Sequence, residues 1–276
     1  VSLSADRKNM NSRSVKSFDG VEIGYDISTS VEHSSTKDDK TTLLFVHGWS
    51  CNRTHWNEQI SAFSDRFQVI AIDLAGHGDS SVGRTNYLIP SFARDIEAVL
   101  NSEQVERAVL VGHSMGGMVI AHTAWLLAER VVGLVGADTF KFVRDDPKTG
   151  KQAEQADRIA GDYEAAIESI ISNMFADSTS DELRRRISVG MVSVPRQVAV
   201  GAMRGMANDI ALFDLIVGLE IPKFTINATG RPMDESSASE AGIQVRFLPT
   251  MGHFVMNEDP VGFNQLLDKA LNVIDS

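Results

Sequence analysis

Apolar residues along this chain fall into two kinds of run. The first kind is short and continuous: Thr42–Val46, Phe67–Ile72, Ala108–Val111, Val131–Val135, Phe224–Ile226 and Val245–Leu248. Runs without polar alternation suit strands covered on both faces, as in a parallel sheet between helix layers. The second kind recurs at helical spacing. Thr54–Phe63, Pro90–Leu100 and Met115–Leu127 have helical length. In Pro260–Ile274 the residues Phe263, Leu266, Leu267, Ala270, Leu271 and Ile274 fall on one helix face. Near the start, Val15–Thr29 carries Asp19-Gly20 between short apolar segments and reads as a β-hairpin. Val1–Asn11 is polar, and Glu32–Lys40 is a charged loop rich in serine and threonine. Strands alternating with helices predict a mostly parallel, doubly wound α/β sheet of about eight strands.

One stretch breaks the alternation. Lys141–Glu220 holds no convincing strand, while Tyr163, Ile167, Ile170, Ile171 and Met174 recur at helical spacing. Leu183 with Ile187, and Val198 with Ala202 and Met206, predict two more helices, the last opened by Ser193–Pro195. The organisation read from this is a core of residues 1–140 and 221–276, with a helical cap of residues 141–220 inserted before the last two strands. Such an insertion sits over the carboxyl ends of the strands, where ligands bind in open α/β sheets. Met174, Met191, Met203 and Met206 fall in it, and read either as core filler or as lining for an apolar pocket.

Composition narrows the function classes. The 276 residues allow one large domain, and 43% of them are hydrophobic, enough for a packed core. The net charge is −11, and the only basic run, Arg184-Arg185-Arg186, reads as a solvated helix face. That argues against a nucleic-acid partner and leaves a small-molecule substrate as the expected one. The single cysteine, Cys51, allows no intramolecular disulfide and reads as a small buried residue. The apolar runs are too short to span a bilayer. The expectation is a soluble protein, with the cytoplasm favoured; Val1 at the first position is also compatible with a removed leader, and the oligomeric state stays open. There is no His-Glu-x-x-His, no cysteine pair and no Gly-x-x-x-x-Gly-Lys-Ser/Thr, and Gly76-His77-Gly78 is followed by Gly83 at the wrong spacing for dinucleotide binding. No metal and no cofactor are expected.

The stretch that carries chemistry is Gly112-His113-Ser114-Met115-Gly116-Gly117, between a strand and a helix. A serine on a sharp strand-to-helix turn exposes its hydroxyl, and glycines beside it admit the close backbone. The helix that follows points its positive end at a developing oxyanion. An acyl-transferring serine also needs a base, an orienting acid and oxyanion donors. The base is read as His253, on the loop between the last strand and the last helix. Of the other histidines, His33 lies in a polar loop, His122 inside a helix, and His113 beside the serine as a support for the turn, while His47, His55 and His77 lie in loops. The oxyanion donors are read as the Met115 amide and the Trp49 amide in His47-Gly48-Trp49-Ser50.

His47-Gly48-Trp49, Asp73-Leu74-Ala75-Gly76-His77-Gly78-Asp79-Ser80, the Ser114 turn and Gly252-His253-Phe254 occur in the order seen in the α/β-hydrolase superfamily. The chain resembles a serine esterase- or lipase-like member with a helical lid across nearly its whole length. The resemblance implies an α/β-hydrolase fold and a Ser114–His253–acid triad. Many members carry the acid after the strand that follows the lid, where this chain has Arg231. Two carboxylates stand in for it: Asp138, which ends an earlier buried strand, and Asp234, later in the Arg231 loop. Asp138 is favoured because a strand end is held rigidly; otherwise Asp138 caps a helix of the lid. The implied activity is cleavage of a carboxylic ester of a small, largely apolar substrate through an acyl-enzyme. A thioesterase, lactonase, C–C bond hydrolase, acyltransferase or cofactor-free perhydrolase shares the same machinery. A serine nucleophile argues against the dehalogenases and epoxide hydrolases, which use aspartate. A small-molecule receptor on the same fold, with slow or no turnover, is the reading from a different class.

Overall fold

The computed structural model describes residues 10–28, 41–144, 148–209, 212–249 and 252–275. The first nine residues of the polar start, the Glu32–Lys40 loop with His33, and Thr250 and Met251 lie outside them. The sheet has eight strands: β1 (Met10–Lys16), β2 (Glu22–Ser28), β3 (Thr42–Val46), β4 (Gln68–Ile72), β5 (Ala108–His113), β6 (Val131–Ala137), β7 (Lys223–Ala228) and β8 (Ile243–Leu248). Their order across the sheet is β1-β2-β4-β3-β5-β6-β7-β8. β1 and β2 form the antiparallel hairpin, β2 joins β4 antiparallel, and every other pairing is parallel.

The continuous apolar runs are the central strands. Leu43, Leu44, Phe45 and Val46 of β3 are fully buried, and burying each such side chain contributes about 1.5–3 kcal/mol. Helices cover both faces. α2 (Ile89–Ser102) and α3 (Met115–Leu126) pack together and against the strands, as do α1 (Asn57–Phe63) and α11 (Pro260–Ile274). The Trp56 ring lies 5.0 Å from Phe45 and 6.2 Å from Phe263, joining β3 to α11. The segment expected as one helix over Thr54–Phe63 begins instead as a 3-10 turn, Arg53–Trp56. The Asn52 side chain accepts from Thr54 N at 3.0 Å and sets that tighter start.

Among the described residues, five helices lie between β6 and β7: α4 (Lys148–Gly161), α5 (Tyr163–Ser172), α6 (Asp181–Val192), α7 (Arg196–Ala207) and α8 (Leu212–Val217). α4 and α8 escape the periodicity reading, α4 because it is largely polar and α8 because it is a six-residue helix with one fully buried residue, Ile216. After β7 come α9 (Glu235–Glu240) and, beyond β8, α10 (Val255–Glu258). In the basic run Arg185 and Arg186 are exposed, as the sequence reading has it, while Arg184 is partly buried. Arg184 Nε donates to Thr179 O at 2.9 Å, and its guanidinium lies 5.3 Å from the Phe175 ring centre. α7 seats on the core at Tyr87, where Gly205 is required because any Cβ would meet the Tyr87 carbonyl oxygen. No described helix is long and apolar enough to cross a membrane.

One buried cation braces the loops at the carboxyl edge of the sheet. Arg53 pairs with Asp73, with Asp26 of β2 at 3.0 Å, and with Asp79 at 2.7 Å. Asp73 also accepts from the backbone of Arg53 at 2.7 Å and of Asp79 at 2.9 Å. Ser80 Oγ donates to Asp73 O and accepts from Gly24 N. The Asp73–Ser80 motif is therefore a strut rather than a reacting group. Arg53→Met is expected to lower stability by about 3–5 kcal/mol, because buried carboxylates lose their cation, read as a fall in the urea midpoint.

Candidate active site

The parallel register sets the site. His113 of β5 lies opposite Ala137 of β6, and Ala137 opposite Ile226 of β7. The next residue in each of the first two strands, Ser114 and Asp138, therefore emerges side by side at one edge. Ser114 holds φ 52° and ψ −114°, a backbone shape that costs free energy and persists only where the surroundings enforce it. They do so here. Ser114 N donates to Ala137 O at 3.1 Å, and Thr139 Oγ1 donates to Ser114 O at 2.9 Å. Behind the turn, a Cβ on Gly116 would lie 2.6 Å from Val46 O, so only glycine lets α3 approach β3. Among the described non-glycine residues, Ser50, Ser114, Asp138 and Phe140 hold positive φ near this edge, and Gln104 does so elsewhere.

His253 follows β8 and completes a chain of three groups. Its Nε2 is 2.8 Å from Ser114 Oγ. Its Nδ1 is 2.6 Å from Asp138 Oδ2. A carboxylate only accepts, so Nδ1 carries the hydrogen and Nε2 is left to accept from the serine. The ring is held from several sides. His253 N donates to Met174 O at 2.7 Å, and His113 Nε2 donates to His253 O at 2.9 Å. Phe254 is fully buried and stacks with His55 and with Phe175, each at 5.8 Å. Glu258 Oε2 accepts from Gly252 N at 2.6 Å.

Asp138 is buried and fully engaged. Oδ1 accepts from Ala228 N at 3.1 Å and pairs with Lys141 Nζ at 2.6 Å. Oδ2 meets His253 and, at 3.3 Å, Arg231 Nε. Among the described residues it caps no helix of the insertion, and the Thr139 hydroxyl serves the Ser114 turn. Burial alone would raise the Asp138 carboxyl, but the His253 hydrogen bond and charge, with Lys141, hold it well below the usual carboxylate range. Burial lowers His253 against the support of Asp138, with Arg231 and Lys141 adding to the lowering. Burial, then the neighbouring His253, push His113 far down, so it is a neutral donor.

Asp234 stands apart from the imidazole. It caps α9, accepting from Ser236 N at 3.1 Å and Ser237 N at 3.2 Å. Met115 is the first residue of α3, where an amide has no acceptor within its own helix. Trp49 is buried in the loop after β3, its Nε1 donating to Ala199 O of α7 at 2.8 Å. Cys51 is buried and its thiol is pushed up to about 12 by burial. His122 Nε2 lies 2.9 Å from Asp209 Oδ1 and has no part in the chain. His113 supports the His253 loop rather than only the serine turn, a role visible only once residues far apart in sequence meet. Sequence reasoning also missed Lys141 and the Arg231 contact; the spacing of three between Asp138 and Lys141 was the available signal. Among the described residues no cluster of three or more His, Cys, Asp or Glu side chains is arranged to hold a metal ion.

The sequence model of the Alpha/beta hydrolase family matches residues 43–266. A pimeloyl-(acyl-carrier protein) methyl ester esterase of Aeromonas hydrophila is 29% identical over 207 residues, 71% of this chain and 78% of that protein. An uncharacterized protein of Mycobacterium bovis is 37% identical over 93 residues, 34% of this chain, and the match spans 27% of that protein's length. A solved thermophilic esterase from Thermogutta terrifontis shares the fold with TM-score 0.83 at 23% identity, over 96% of this chain and 100% of that one.

The depressed Asp138 carboxyl has a consequence for stability. Its contribution is complete above the unfolded aspartate value of about 3.9 and is lost as pH falls through the lower folded value. Asp138→Asn leaves Lys141 and Arg231 without that charge, at an expected cost of about 3–5 kcal/mol at neutral pH. In urea unfolding at a series of pH values, the gap from wild type should be constant above about pH 5 and narrow in stronger acid.

Proposed function

The chain belongs to the alpha/beta hydrolase family, and on that footing we propose that it is a serine hydrolase cleaving a carboxylic ester of a small, largely apolar substrate. The observation that carries this reading is the continuous chain from Ser114 Oγ through His253, 2.8 Å and 2.6 Å at its two links, to Asp138. His253 Nε2 removes the Ser114 proton as Oγ attacks the ester carbonyl. The Trp49 and Met115 amides stabilise the oxyanion, each contributing about 2.7–4 kcal/mol. His253 then protonates the departing alcohol, and water, activated by the same imidazole, releases the acid from the acyl-enzyme. Asp138 keeps the proton of His253 on Nδ1 throughout. Residues 141–220 act as the lid that selects the substrate over the core of residues 1–140 and 221–276. A relative named as a methyl ester esterase favours an oxygen ester over a thioester or lactone.

Turnover of a short-chain nitrophenyl ester tests the reading. Ser114→Ala should abolish it. Asp138→Asn, assayed where its circular dichroism stays native, should lower kcat by about four orders of magnitude, the loss that follows when the imidazole tautomer is wrong. Asp234→Asn should leave kcat within a factor of about two, as expected of a surface cap. Loss of turnover in Asp234→Asn alone would overturn the acid assignment. A single slow turnover by the wild type would favour a receptor. A panel of esters, thioesters and lactones then fixes the bond class.

A further inference from the structure

Two cationic side chains touch the carboxylate that supports the proposed base. Lys141 Nζ lies 2.6 Å from Asp138 Oδ1, and the lysine side chain is only 6% exposed. Arg231 Nε lies 3.3 Å from Oδ2 with its side chain 34% exposed. Its Nη1 also donates to Asn173 O, just beyond α5, at 3.3 Å. We propose that Lys141 and Arg231 are positioning residues that share the charge of Asp138 among three donors, so that His253 is oriented by a hydrogen bond without being driven toward its protonated form. This rests on the serine hydrolase reading of the same site.

The argument is one of charge balance. A carboxylate standing alone beside an imidazole favours imidazolium. Among the described contacts of Asp138, one negative charge faces two positive ones before His253 takes up any proton, so protonation adds a third cation beside it. The other groups facing His253 do not reverse this balance. Ser114 is neutral and His113 is held neutral by burial. Glu258 is turned to the backbone of Gly252, with Oε2 accepting that amide at 2.6 Å. The lowered His253 agrees with the geometry. The two cations differ in reach. Lys141 is buried, so salt screens it little, whereas the partly exposed Arg231 is screened within a Debye length of about 8 Å at physiological ionic strength. The consequence is a base that stays free, and an enzyme that stays active, on the acid side of the ordinary histidine range.

The test reads His253 in two ways: the acid limb of kcat/KM for a nitrophenyl ester, and the histidine nitrogen shifts by NMR across pH, which need no turnover. Lys141→Gln keeps a donor and removes the charge. It should move both midpoints upward by about one unit. Arg231→Gln should move them by about half a unit at low salt and less at high salt, and Arg231→Lys should restore the wild-type value. A purely structural role predicts equal losses at every pH with unmoved midpoints in both variants, and that result overturns the proposal. If Lys141→Gln does not fold, the partly exposed Arg231→Gln decides. If the wild type turns over no ester while the NMR midpoints still move, the charge assignment stands and the hydrolase reading falls.

Discussion

A single buried negative charge, the carboxylate of Asp138, ties the site together. Placing an unpaired carboxylate in a protein interior costs several kcal/mol. The fold offsets this by converging donors from separate parts of the chain: the backbone of Ala228 at the end of β7, Lys141 just past β6, Arg231 in the following loop and His253 after β8. Together the donors fix the ends of three strands, β6, β7 and β8. The sheet register, the strained backbone at Ser114 and Asp138, and the placement of the imidazole thus form one cooperative arrangement. Removing the Asp138 carboxylate leaves Lys141 and Arg231 without the negative charge they face.

The central architecture was legible because its signals are local. β3, β5 and β6 announce themselves as unbroken apolar runs, and Ser114 by the glycines that a turn against β3 demands. The strand end at Asp138 set it apart from Asp234, which the sequence put on a loop and the structure shows capping α9. What stayed hidden depends on polar elements or distant partners. α4 and α9 carry too few apolar residues to show a period. The binding of Arg184 to Phe175 and Thr179, and the hold of His113 on the His253 carbonyl, arise only from the folded geometry. Arg231 drew notice as a cation where an acid was expected, but its contact with Asp138 spans two strand ends.

The motif residues divide by task in a way their order in the chain does not reveal. Asp73, Asp79 and Ser80 hold the loop after β4 through Arg53 and Gly24. His47 accepts from Leu74 N at 3.0 Å and is pushed down to about 3 by burial, so it joins the β3 and β4 loops as a neutral ring. These groups contribute rigidity, and rigidity is what holds two short hydrogen bonds in line at Ser114 and Asp138.

The helical insertion is bonded to both arms of the site: Trp49 Nε1 to Ala199 O on the β3 loop, and Met174 O to the backbone amide of His253. Exchanging this segment for one from a distant relative would therefore disturb the Trp49 and His253 loops themselves. On the proposed reading, selectivity and turnover rate are inherited together. Laboratory evolution of new preferences should advance through paired changes on either side of those two bonds, and wholesale grafting should cost rate until the bonds are rebuilt.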